Sequence, residues 1–439
     1  MEEWCTTPPR KAKPRKLLEI AETVHGEDRM SELPVHIIHH IVCNTSLNLD
    51  EAARTCVLSK RWYYCWISRP HLEFSQLSGN VHMTLEKFVT LVDESLQFHV
   101  EQKIRLEEFI LTYHDPNLAS PTDGWIELVV KHNVKVLGIH VSGSESPYYI
   151  LPDVIYAAKE LAKLGLSRCK FEFDISNTNI RFCCLKDLFL YNVHISDGQL
   201  QRVIDTCPFI RNLTILDCDG ISKLHAFGLV HLEILAVASC KLESVIVQAP
   251  NLRDYGYAGV HSIDDIFLPC KIAILDAYNT LQILTLTGAS ITDQQFDDVF
   301  SKFANISELS LIKCYMLKNL KIVSGKLKKF TLTQWRNLKK ATIQAPNLLE
   351  FYFDGDKMPF SSMNPSSLER ARLDFVLPDT VISNFGDVDR SWYTNLHLFV
   401  QKFNYSKGLI FAISCHKIKS ILIYEIQEKL LFPRVMMSR

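Results

Sequence analysis

Three histidines, His36, His39 and His40, fall within one short stretch. His36 and His40 stand at the i, i+4 spacing that puts two imidazoles on one helix face, the arrangement a zinc-binding helix uses. A metalloprotease helix also needs a glutamate directly after the first histidine and a third ligand. The string His36-Ile37-Ile38-His39-His40 supplies neither, so it predicts a solvated or partner-facing helix surface and no metal centre. The adjacent thiols Cys183-Cys184 raise redox chemistry, but neighbouring cysteines in a repeat turn more commonly pack than react. All 13 cysteines are scattered, odd in number and without a Cys-x-x-Cys pair. That usage fits small buried hydrophobes in a reducing compartment, not a disulfide framework. No Gly-x-Gly-x-x-Gly, P-loop Gly-Lys-Ser/Thr or Gly-x-Ser-x-Gly occurs. A Cys/His dyad assembled from distant positions is left open by any search of linear motifs. No catalytic residue, cofactor or metal is assigned.

The elements that would position any site follow from length and pattern. The chain has 439 residues, beyond the roughly 250–300 at which one core stops growing, so two domains or a one-dimensional array of repeats is expected. Hydrophobic residues make up 47% and charged residues 22%, which excludes a disordered or collagen-like chain. Lys+Arg 48 against Asp+Glu 49 gives a net charge of −1, lacking the basic surplus by which nucleic-acid binders release counterions. No nucleic acid or membrane partner is expected. The apolar stretch Leu409 to Cys415 is broken by His416, Lys417 and Lys419, too short for the roughly 20 residues of a span. With no apolar signal segment at the start, an intracellular protein is expected, in the nucleus and/or cytoplasm. The basic run Arg10 to Lys16 reads either as a nuclear-import signal or as a solvated tail, within a polar segment 1–27.

From 28 to 74 the pattern predicts three short helices. Pro34 opens the first, since proline in a first turn forfeits no hydrogen bond, and Ile37, Ile38, Ile41 and Val42 recur at helical spacing. Asp50 is suited to cap a second helix and Ser59 a third, in which Trp62 and Trp66 lie one turn apart. So short a segment is not expected to bury Ile37, Ile38, Ile41, Leu58, Trp62 and Trp66 by itself, which leaves an apolar face for another surface to cover.

Behind it lies a repeat. Gln-Ala-Pro-Asn-Leu occurs at 248–252 and again 96 residues later at 344–348. The same offset aligns Leu188 with Leu284, Leu190 with Leu286, Asp197 with Asp293 and Cys218 with Cys314, apart from a one-residue slip near 228–241. We read a duplication, 185–259 and 281–355. Inside each copy runs a finer frame, L-x-x-L-x-L-x-x-(N/C), met by Ile210-Leu213-Ile215-Cys218, Leu232-Leu235-Val237-Cys240 and Ile306-Leu309-Leu311-Cys314. Its spacing of about 21–25 residues falls within the roughly 20–29 of leucine-rich repeats. Two apolar residues two apart point to one side of a short strand, so each frame predicts a strand with a buried face and an outward face. The expected fold is an α/β repeat: short helices, then a leucine-rich-repeat solenoid over 75–378 with parallel strands on its concave face, and a capping region at 379–439. Further strands are expected at 104–111, 134–141, 161–166 and 368–375. The tail should hold a helix-like run from Leu396 and strands at 409–413 and 421–424. The outward positions Phe189, Tyr191, Asn212, Thr214, Ile234, Glu308, Ile312, Tyr352 and Asp354 are the candidate target-binding residues.

Asp28-Arg29-Met30-Ser31-Glu32-Leu33-Pro34, followed by Ala53-Arg54-Thr55-Cys56-Val57-Leu58-Ser59-Lys60-Arg61-Trp62, resembles an F-box, and with the repeats behind it the chain is similar to the plant F-box/leucine-rich-repeat family. The stretch from Cys43 to Leu49 departs from the family's usual link in having no proline. The resemblance implies a non-catalytic substrate receptor of a Skp1-cullin-F-box ubiquitin ligase, whose F-box docks a Skp1-type adaptor and through it a cullin. Carried onto this chain, the adaptor-facing residues would be Leu33, Pro34, Ile37, Ile38, Ile41, Val57, Leu58 and Trp62. The repeats would hold a protein target for ubiquitination. The alternative is a stand-alone leucine-rich-repeat scaffold not coupled to ubiquitin transfer.

Overall fold

Strict alternation of apolar and polar residues over five or six positions, as in Asp187-Leu188-Phe189-Leu190-Tyr191, makes a strand that buries one side only. The computed structural model describes residues 30, 32–44, 55–76, 84–143, 147–176, 180–260, 267–335, 338–355, 359–363, 367–375, 398–399 and 410–415. The tail 1–27, the helix expected from Asp50, most of the 43–49 link, the 379–391 loop and the strand at 421–424 lie outside them. The chain divides into two compact units, residues 1–185 and 186–439.

Unit 1 begins with helix α1 (Val35–Asn44), a 3-10 turn at Thr55–Val57 and helix α2 (Lys60–Ile67). Parallel strands β1 (His71–Ser75), β2 (Glu108–Tyr113), β3 (Val136–Val141) and β4 (Lys163–Ser167) follow, with helix α3 (Leu85–Glu101) between the first two and α4 (Ala119–Lys131) between the next two. A helical crossover is what a parallel neighbour demands. Two inward rows, Leu72–Phe109–Leu137–Leu164 and Phe74–Leu111–Ile139–Leu166, form the core under them. The sequence reading carries the helical segment to residue 74, but Pro70 ends it and β1 already belongs to the sheet. Helices α3 and α4 were not anticipated.

Unit 2 carries ten parallel strands among the described residues. They are β5 (Asp187–Tyr191), β6 (Asn212–Leu216), β7 (Ile234–Ala238), β8 (Asp254–Ala258), β9 (Ile283–Thr287), β10 (Glu308–Ile312), β11 (Lys329–Trp335), β12 (Glu350–Gly355), β13 (Arg370–Phe375) and β14 (Ile410–Cys415). The strand expected in the tail is β14, which pairs with β13 as the next member of the sheet. Inward residues stack in register, Leu188–Leu213–Leu235–Tyr255–Leu284–Leu309 and onward, as the frame predicts. Two three-stranded sheets, from Lys223–Ala226, Ser244–Val247 and Lys271–Ile274 and from Asn319–Val323, Lys340–Gln344 and Phe360–Met363, form further parallel layers of the repeats. The frame-ending cysteines are buried: the Cys218, Cys240 and Cys314 thiols donate to the carbonyls of Leu190, Ile215 and Leu286 at 3.7, 3.8 and 3.4 Å. Burial pushes the Cys314 thiol up to about 11, which keeps it an inert packing group.

One capping device recurs at the 96-residue offset. Helix α5 (Asp197–Asp205) starts with a capping box of Ser196 and Gln199, and α6 (Asp293–Phe300) with one of Thr292 and Gln295. Asp197 then accepts from the backbone N–H groups of Ser222 and Lys223 and from Ser222 Oγ; Asp293 accepts from Lys318 N, Asn319 N and Asn319 Nδ2. Burial alone would raise the Asp197 carboxyl, but the bonds from Ser222 and Lys223 and the Lys223 charge together outweigh it and hold the pKa below the usual value. A depressed folded-state pKa contributes stability above the unfolded-state pKa, and that stability is lost as pH falls through the folded value. Asp197→Asn is therefore expected to lower stability by about 1 kcal/mol near neutral pH and by less in acid, read from urea midpoints across pH.

Tyr255 occupies a leucine position of the inward row, fully buried, and its hydroxyl has no hydrogen-bond partner among the described residues. An unsatisfied buried hydroxyl costs about 1–3 kcal/mol. Tyr255→Phe is accordingly expected to raise stability by about 1 kcal/mol, seen as a higher urea midpoint with an unchanged slope.

Candidate functional site

The helical pair at the start of unit 1 is built around its own small core. Pro34 presents its carbonyl to the N–H groups of Ile37 and Ile38 at 2.9 and 3.1 Å, opening α1. Ser59 caps α2 by accepting from Trp62 N at 3.4 Å. Ile38, Val42, Trp62 and Cys65 pack together, with Leu33, Ile41 and Trp66 against them. Trp62 Nε1 donates to the Met30 carbonyl at 3.0 Å, fixing the chain that enters α1. Arg69 stacks its guanidinium over the Trp66 ring at 3.8 Å and donates to the Trp66 carbonyl.

This corrects one expectation: the segment does bury part of its apolar side. Ile38 and Trp62, both 0% exposed, are interior and touch no outside surface. Their spacing on amphipathic helices is equally that of a core stripe, and two helices meeting side by side suffice to cover them. Outside remain Val57 at 86% exposure, Leu58 at 45%, Ile37 and Pro34, with Leu33 and Ile41 half-buried. Val35, Tyr63 and Tyr64, which the sequence reading did not single out, are exposed beside them in the chain. His36 and His40 are exposed and His39 is half-buried, its pKa lowered by burial. Among the described residues no three His, Cys, Asp or Glu gather as a metal site.

The second surface is the outward face of the strands of unit 2, three rows wide. The first row is charged and internally paired: Asn212 Nδ2 donates to Asp187 at 2.6 Å, Lys329 meets Glu308 at 3.8 Å, and Arg370 meets Glu350 at 3.1 Å. Ile234 interrupts it, exposed. The middle row runs Phe189, Thr214, Ala236, Gly256, Thr285, Ser310, Thr331, Tyr352 and Arg372. The third begins Tyr191, Leu216, Ala238, Ala258, Thr287, Ile312 and Thr333. From β7 to β9 the floor is thus small and uncharged, and Phe189 and Tyr191 are exposed on β5. At the far strands Tyr352 Oη and Arg372 Nε both donate to Asp374 Oδ2, at 2.9 and 2.8 Å, and Arg372 lies 5.6 Å from the Tyr352 ring. Burial first, then Asp374, pushes the Tyr352 hydroxyl up to about 12.

All nine predicted positions fall on this outward face, Phe189 and Tyr191 on β5, Asn212 and Thr214 on β6, Ile234 on β7, Glu308 and Ile312 on β10, Tyr352 and Asp354 on β12. Asn212 and Glu308 are engaged with neighbouring strands. The reading missed Arg372 and Asp374, although the strand predicted at 368–375 alternates there with buried Ala371 and Leu373. Cys183 and Cys184 are exposed, in unit 1.

Stacked parallel strands with paired inward apolar residues, three of them in unit 2 followed by a buried cysteine, define a leucine-rich-repeat protein. The repeat model described as "FBD-associated F-box protein At5g56370, LRR repeats" matches residues 122–279, and that described as "At1g61320/AtMIF1, LRR domain" matches 262–385. Among Arabidopsis thaliana proteins, the F-box/LRR-repeat protein At3g28410 is 26% identical over 47% of this chain and 41% of its own length. F-box/LRR-repeat protein At3g03360 is 22% identical over 73% of this chain and 64% of its own, and F-box/LRR-repeat protein 25 is 28% identical over 52% and 84%. The first of these relatives is thus matched over less than half its length. In its repeats and in these relatives the chain is similar to plant F-box/leucine-rich-repeat proteins.

Proposed function

We propose that the chain is a non-catalytic substrate receptor: its helical pair docks a Skp1-type adaptor, through which a cullin is recruited, and the outward face of unit 2 binds a protein target for ubiquitin transfer. The observation that carries the first half is the apolar surface left on a segment that has already built its own core. Val57 at the end of the 3-10 turn is 86% exposed and Leu58 after it 45%, and on α1 and its entry Ile37 and Pro34 are exposed and Leu33 and Ile41 half-buried. Ile38 and Trp62 act from beneath, fixing the angle at which those side chains are offered. An apolar centre with Lys60 and Arg61 exposed at its edge has the composition of a protein interface.

Target binding is supported by the exposed Phe189, Tyr191 and Ile234, beside a floor of small residues. Gly256 lies at its middle, and among the described residues nothing stands within 4 Å of where a side chain would begin, so a bound backbone can approach the sheet itself. The ligase gains rate by holding a target lysine near the charged carrier enzyme, which is a proximity effect requiring no catalytic group on this chain. Among the described residues no helix is long and apolar enough to cross a membrane. Co-expressed with a Skp1-type adaptor, the full chain is expected to elute with it as one complex and to retain a cullin. An adaptor that elutes separately would leave only the scaffold reading.

A further inference from the structure

The two long helices of unit 1 carry a feature that neither docking surface uses. Helices α3 and α4 meet where Trp125 packs edge-on to Phe88 at 6.4 Å and its Nε1 donates to Asp93 Oδ1 at 2.7 Å. Beyond that contact they enclose a groove of about 680 Å³. Its walls are Val89, Leu96 and Val100 from α3 and Pro121 and Leu128 from α4. Val100 is exposed and Val89 and Leu128 are half-buried, so the groove opens to solvent.

Three observations limit what fits there. The wall residues Val89, Leu96 and Val100 recur along one helix face over about 16 Å, the length of three helical turns. Gly124 lies on the groove in the middle of α4, where glycine costs about 1 kcal/mol of helix stability relative to alanine. Among the described residues nothing stands within 4 Å of where its side chain would begin, so here α4 offers bare backbone to a close neighbour. The charge is one-sided: Glu86 lies two turns before Asp93 on the same face, Glu101 accepts from the groove residue Gln97 at 2.7 Å, and Glu127 is one turn beyond Gly124, against Lys131 at the end of α4.

We propose that this groove receives an amphipathic helical segment of a partner protein, with an aliphatic stripe laid on Val89, Val100 and Leu128 and lysines or arginines over Glu86, Asp93 and Glu101. An apolar face between two helices with acidic flanks is the complement of a basic amphipathic helix, and the groove would take it as a third helix of the layer. This interaction is separate from the adaptor and target surfaces and stands whether or not those bind.

The test uses the full chain and fluorescein-labelled 14-residue peptides of two heptads, one built from leucine and lysine, the other from leucine and glutamate. The lysine peptide should bind saturably in anisotropy titrations. Gly124→Trp, which fills the open space, should weaken it at least tenfold, and so should the double charge reversal Glu86→Lys/Glu101→Lys, with circular dichroism unchanged. The proposal is overturned if the charge-reversed protein binds the lysine peptide like the wild type, if a folded Gly124→Trp does so, or if the glutamate peptide binds as tightly. It also fails if only a small apolar dye such as anilinonaphthalene sulfonate occupies the groove and neither peptide binds.

Discussion

Val57→Glu combined with Leu58→Glu is expected to weaken binding of a purified Skp1-type adaptor at least 100-fold in calorimetric titration while leaving the unfolding midpoint unchanged. Each side chain is exposed, so a carboxylate there is fully solvated in the free protein and costs the fold little. On docking, the same carboxylates would be stripped of water against an apolar surface without a partner. Central apolar anchors typically contribute 2 kcal/mol or more each, so losing two removes at least two orders of magnitude. Wild-type affinity in the double variant would sink the adaptor reading. Substitution of Trp62 would not serve the same purpose. That ring is in the interior, and its indole N–H holds Met30, so loss of binding there would report loss of the helical pair.

Gly288→Asn is expected to destabilise unit 2 by about 3 kcal/mol, although the duplication itself offers asparagine as the natural substitute. Residues directly after the strands take a left-handed backbone: Asn192 with φ 50°, Asp217 with φ 51°, Ser239 with φ 57°, Lys313 with φ 52° and Gly288 with φ 61°. Asn192 and Gly288 are counterparts at the 96-residue offset, and asparagine adopts this conformation with little strain. What differs is Phe267, whose ring would lie 2.0 Å from a Cβ at 288. The ring is buried, and it can give way only by leaving its site, an overpacking cost of about 1–3 kcal/mol with lost ring burial added. Chemical denaturation of Gly288→Asn and of Gly288→Asn/Phe267→Ala makes the check. If the asparagine costs as much with the ring gone as with it present, backbone conformation is the cause and the steric argument fails.

The repeats were legible because their signal is local and redundant. Each frame states which side of its strand is buried, and Leu213, Leu235 and Leu309 each lie inward as the pattern requires. The strands at 108–113, 136–141 and 163–167 were found for the same reason. Helix α3 was less legible because short apolar runs lying between strands suit either period, although Phe88, Val92 and Leu96 form a buried stripe at helical spacing. The further parallel strands Lys223–Ala226, Lys271–Ile274 and Phe360–Met363 are four residues long, too short for alternation to mark them. Around the candidate site, the outward positions followed from parity alone, whereas the Tyr352–Asp374–Arg372 linkage depends on register between strands 20 residues apart. The fates of Ile38 and Trp62 illustrate the same limit. Helical spacing says that a side chain belongs to an apolar stripe, and only packing decides whether a neighbouring helix or a foreign protein covers it.

The recurrence of the Asp197 and Asp293 anchors gives the protein an interchangeable splice point. Each aspartate is met by backbone groups at an identical remove, Ser222–Lys223 in one case and Lys318–Asn319 in the other. A gene that dropped residues 212–307 would hand Asp197 the partners that now serve Asp293, and Leu188 would face Leu309 where it had faced Leu213. Such chains can therefore shorten or lengthen by a whole block within one reading of the pattern, trading breadth of the outward face for economy of length while every remaining strand keeps its neighbour's alignment.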